Sequence, residues 1–113
     1  MKKKVEAIIT DVLGERVVVL LEALEHAVER HFTLFPKEMV LELIERVLRD
    51  PSDIFEEQKK HLFHLFYKID SKHYIVVIVK RTPDGNFFVT SYPTGKTFRG
   101  KHKKLKRVRY EKS

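Results

Sequence analysis

Residues 61–92 read HLFHLFYKIDSKHYIVVIVKRTPDGNFFVTSY, three apolar runs divided by two turn signals. Ile69-Asp70-Ser71-Lys72-His73 separates the first run from the second, and Thr82-Pro83-Asp84-Gly85-Asn86 separates the second from the third. Short gaps of Asp, Ser, Pro and Gly between runs of Val, Ile, Phe and Tyr predict an antiparallel meander. Side chains alternate along a strand, so Tyr74, Val76, Ile78 and Lys80 share one face of the middle run. His73, Ile75, Val77, Val79 and Arg81 share the other. Both faces are mostly apolar, so this strand is central and needs cover on both sides.

The segments upstream supply elements for that cover. Residues 5–10 (VEAIIT) and 16–20 (RVVVL) are strand-like and flank Asp11-Val12-Leu13-Gly14-Glu15, where Gly14 can take a positive φ; they predict a hairpin. From Glu22 the period changes. Leu24, Ala27, Val28 and Phe32 recur at helical spacing, predicting a helix over 21–32. Thr33-Leu34-Phe35-Pro36 interrupts it, and Pro36 suits the first turn of a second helix. That helix carries the stripe Met39, Val40, Leu43, Ile44, Val47 and Leu48 and ends at Asp50-Pro51. Residues 53–57 (DIFEE) suit a short edge strand. The order predicts an α+β fold: an antiparallel sheet of four to five strands with both N-terminal-half helices packed on one face. One domain would span residues 1–98, followed by a basic C-terminal tail, 99–113.

At 113 residues the chain supports one core and not two. No apolar run approaches the roughly 18–20 residues of a membrane span. The basic start Met1-Lys2-Lys3-Lys4 leads into a stretch too short and too acidic for a signal-peptide core. There is no cysteine, which excludes disulfides and thiolate chemistry and leaves the cytoplasm as the expected compartment. The net charge of +7 is unevenly placed. Residues 1–65 hold 10 Lys/Arg against 13 Asp/Glu, net −3, and residues 66–113 hold 13 against 3, net +10. Such asymmetry points to a polyanionic partner, RNA or DNA before others. The candidate contacts are Arg99, Lys101, Lys103, Lys104, Lys106, Arg107 and Arg109 in the tail, with Tyr67 and Arg81 in the meander. A solvated arm kept for solubility would have the same composition.

Six histidines invite a metal reading that their spacing opposes. His26 and His31 lie five apart, about 140° around a helix, so they diverge, whereas a zincin pair needs i,i+4. His61 and His64 would point to opposite faces of a strand. No glycine-rich phosphate loop or GxSxG elbow occurs, so no cofactor is expected. His, Arg, Lys and Tyr remain, the inventory of metal-independent RNA cleavage. That reaction needs a base for the ribose 2′-OH, an acid for the leaving oxygen and fixed positive charge at phosphorus. Each residue also has an ordinary structural explanation. His31 would look the same as a half-buried, hydrogen-bonded histidine, His26 as a solvated one, and Lys80 as a snorkelling strand end. Thr90 and Tyr92 are common strand residues.

Four blocks give these residues a context: GERVVVLLEALEHAVERHF, VLRDPSDIF, FYKIDSKHYIVVIVK and FFVTSYPTGK. In order and spacing they resemble the phage-type nuclease group of the barnase–EndoU–colicin–RelE-like (BECR) superfamily. His26, Arg30 and His31 fall on its first block, and Asp50, Pro51, Asp53 and Ile54 on the second. Tyr67 and Lys80 fall on the third, Thr90 and Tyr92 on the fourth. Phe32 stands where the group has proline, and Ser91 where it has a small apolar residue. The resemblance implies an RNase-like site between the helical segment and the sheet, in a toxin-like or phage-related protein that an antitoxin or inhibitor would restrain. His26 and His31 would transfer protons, Arg30 and Lys80 would hold phosphate, and Thr90 and Tyr92 would line the site. Structured RNA, tRNA included, is the implied substrate. Two rivals share the charge pattern: a non-catalytic nucleic-acid-binding module and a small protein-interaction domain.

Overall fold

The computed structural model describes residues 3–95 and 105–110. In chain order the elements are β1 (Val5–Thr10), β2 (Arg16–Leu20), α1 (Leu21–His31), α2 (Lys37–Arg49), β3 (Asp53–Glu57) and a 3-10 turn (Gln58–Lys60). β4 (Leu62–Lys68), β5 (His73–Thr82), β6 (Gly85–Gly95) and β7 (Lys106–Val108) follow. They form one sheet in the order β1-β2-β6-β5-β4-β3-β7.

The hairpin and the meander form as their turn chemistry predicts. In the first turn Gly14 sits at φ 81°. Asp11 Oδ1 accepts from the Leu13 and Glu15 amides at 2.9 and 3.0 Å. Burial raises the Asp11 carboxyl, and those two amides work against the rise. Between β4 and β5, Asp70 Oδ1 accepts from the amides of Lys72 and His73, which lowers the Asp70 carboxyl. β5 is the middle strand of seven. Ile75, Val77 and Val79 are buried toward the helices, and Tyr74 and Val76 are buried on the opposite face.

The sheet departs from expectation in width and in kind. It has seven strands among the described residues rather than four or five, and it is mixed, because β2 runs parallel to β6 through Val17↔Asn86 and Val18↔Phe87. A parallel contact needs no connecting turn, so no local signal announces it. β3 is not an edge either, since β7 pairs on its outer side through Ile54↔Val108 and Phe55↔Arg107. Pro36 precedes α2 as its extended cap instead of entering the first turn.

Both helices bury one stripe against the sheet: Leu24 and Ala27 from α1, and Val40, Ile44, Val47 and Leu48 from α2. These meet Val17, Val19, Leu65, Ile75, Val77 and Phe88 in the main core. A second cluster on the opposite face joins Phe66, Tyr74 and Val76, with Phe55, Ile78 and Tyr92 packed around them.

Candidate active site

α1 leaves β2 without a loop, Leu20 ending the strand and Leu21 opening the helix. β2 therefore stops pairing at Phe87, and α1 runs on beside the exposed edge of β6. Along the other edge of β6 its register with β5 slips: Ile78 faces Thr90, Val79 faces Phe88, and Val89 is left over as a bulge. Bulges turn side chains toward sites that a regular ladder would not reach. Here Val89, 41% exposed, stands beside Thr90 and Tyr92 and opposite the last two turns of α1.

The result is an open groove of about 440 Å³ lined by His26, Arg30, His31, Val89, Thr90 and Tyr92. Five of the six residues expected to act together thus meet in one place. Residues 26, 30 and 31 fall at roughly 0°, 40° and 140° around the helix, which sets Arg30 between the two histidines. The arc too wide for a zincin pair is wide enough to span a groove. Arg30 and His31 also occupy the last turn, where the carbonyl end of the helix favours cations. The His31 ring lies 5.7 Å from that of Tyr92, tilted by 48°. Tyr92 is half-buried, and burial pushes its phenol above the ordinary value of 10.0. The hydroxyl is accordingly a neutral donor at physiological pH.

This shift has a testable sign. Keeping the Tyr92 phenol neutral stabilises the folded protein fully below pH of about 10, and that contribution fades as pH rises through the higher folded value. Ultraviolet difference titration should show one tyrosine ionising later than free tyrosine, absent in Tyr92→Phe. Normal titration of all four tyrosines would contradict it.

The other candidates are placed differently. Lys80 pairs with Phe87 and shares the Thr90 face, but it does not line the groove. Tyr67 packs against the helix-side core. Arg81 lies 3.8 Å above the Phe63 ring, a cation–π contact that occupies it structurally. Arg107 pairs with Asp53 at 3.2 Å on β7, beside exposed Lys106 and Arg109. Arg99, Lys101, Lys103 and Lys104 lie outside the described residues. Val89 escaped the sequence reading; its local sign is the run Phe87-Phe88-Val89, three apolar residues that break the alternation.

An open groove on a small α+β fold, lined by two histidines, an arginine and a tyrosine, offers groups able to move protons and hold phosphate, as a nuclease requires. The family model described as phage-Barnase-EndoU-ColicinE5/D-RelE like nuclease 2 (PBECR2) matches residues 1–112, and the chain belongs to that family. No match to it was found among curated proteins or among solved structures. Among the described residues, no helix is long and apolar enough to cross a membrane.

Proposed function

We propose that the protein is a metal-independent endoribonuclease acting on structured RNA, tRNA included. The observation that carries this reading is the groove itself, in which His26, Arg30 and His31 face Thr90 and Tyr92. One histidine takes the proton of the ribose 2′-OH. The 2′ oxygen bonds to phosphorus as the P–O5′ bond breaks, and the other histidine gives its proton to O5′. The products are a 2′,3′-cyclic phosphate and a 5′-hydroxyl. Arg30, between the histidines, holds the non-bridging oxygens while charge builds on them. Tyr92 supports the His31 ring and offers its hydroxyl, and Thr90 closes the sheet side. Lys80 adds to the positive field of the same face from outside the groove.

The test is end-labelled total tRNA incubated with the protein in EDTA. Fragments ending in 2′,3′-cyclic phosphate are expected. Intact RNA with a salt-dependent gel shift would replace the enzyme by a binder held by the basic residues of β7 and its neighbours.

A further inference from the structure

A second hollow lies on the other side of His31. It measures about 450 Å³, and His31, Phe32, Phe35, Met39, Ile69 and Pro93 are among the residues around it. His31 borders both this pocket and the groove, so a ligand in one adjoins a ligand in the other. We propose that this pocket is a nucleobase subsite, receiving the base next to the phosphate held in the groove. The inference rests on the nuclease reading and adds where the strand lies and what part of it is read.

The lining fits a base better than it fits other ligands. Phe35 presents an open ring in the pocket that His31 borders, backed at 6.5 Å and 65° by the ring of the buried Phe32. Phe35, Met39 and Ile69 are 49%, 50% and 56% exposed, so the faces that would stack are open to solvent. The volume falls within the roughly 300–1,000 Å³ of small-molecule pockets. On the turn that carries Ile69, Lys72 is exposed and Asp70 is engaged by His73 at 2.9 Å, whereas Lys68, paired with Tyr74, belongs to the face opposite the helices. An exposed lysine on the turn beside an apolar hollow suits a strand whose phosphate runs past it while a base turns in. Apolar walls read no hydrogen-bonding edge. The subsite would therefore favour the larger stacking surface of purines without distinguishing adenine from guanine. A protein partner would need about 800 Å² on each side, and it would engage Leu34, which is 91% exposed and stands outside the pocket.

Two uncleavable probes separate the outcomes: the deoxydinucleotide d(ApA), and the same molecule with one base removed. The chain has two methionines, so methyl-labelled methionine gives one signal for Met39 and one for Met1. The Met39 methyl should shift and saturate with d(ApA), and respond at least tenfold more weakly to the abasic probe on the pocket side. Phe35→Ala should weaken binding about tenfold, and Leu34→Ala should leave it unchanged. A Met39 signal indifferent to the base, or equal loss in Leu34→Ala, would overturn the subsite. Cleavage of tRNA with an indifferent Met39 would sink the subsite and spare the nuclease. A responsive Met39 without cleavage would keep the base pocket and sink the chemistry.

Discussion

His26→Ala and His31→Ala should each slow RNA cleavage by about 10²–10⁴-fold, the usual weight of one proton-transfer group. Neither should weaken the fold, because both side chains are exposed on α1 and bury no core surface. The two losses should not add. Groups that act as a unit are grossly non-additive, so the double variant should fall little below the worse single one. The pH–rate profile provides the sharper readout. The native protein should give a bell with two limbs, and each single variant should lose one of them. Arg30→Ala should lower turnover as well, with Arg30→Lys recovering only part of it, since the fork geometry goes with the guanidinium. If both histidine variants cleave at the native rate with the native pH profile, the groove is not where the chemistry happens.

Phe66→Ala should destabilise the protein by about 3–5 kcal/mol. Phe66 is fully buried at the centre of the face opposite the helices. It meets Phe55 edge-on at 5.6 Å and Tyr74 at 6.1 Å. Truncation would remove both contacts and leave a void between strands that cannot close up. For a domain of this size, each kcal/mol shifts the melting temperature by about 4 °C, so the loss is large enough to unfold a marginal protein. Urea unfolding measures it directly. The effect should reach the groove, because Tyr92 packs on this cluster and its ring faces His31. At temperatures where the variant stays folded, cleavage should still be reduced. A cost below 1 kcal/mol would mean that the second cluster contributes little to the stability of the sheet.

Much of this architecture is written locally, and the part that matters most to the groove is not. The hairpin over Asp11–Glu15, the turns at Asp70 and Gly85 and the two amphipathic helices all follow from residues within a few positions of each other. His26, Arg30, His31, Thr90 and Tyr92, which line the groove, could be picked out through their spacing within blocks that resemble a nuclease group. What joins them could not. The β2–β6 contact links Val17 and Val18 to Asn86 and Phe87 in parallel, and no turn residue marks such a contact. The Val89 bulge becomes definite only in the pairing with β5, where the register slips between Ile78 and Val79. The contacts that Arg81 and Tyr67 make within the fold were not legible, for a related reason. Alternation gives the face of a strand residue, but not whether an aromatic ring or a core will claim the side chain on that face.

The parallel contact between β2 and β6 also bears on the order of events during synthesis. One wall of the groove comes from residues near the start of the chain and the other from a strand completed about sixty residues later. Contacts so far apart in sequence form late and slowly. A chain that has left the ribosome only as far as α1 carries both histidines but has nothing for them to face. A groove assembled in this way has both its walls only after β6 has emerged and paired.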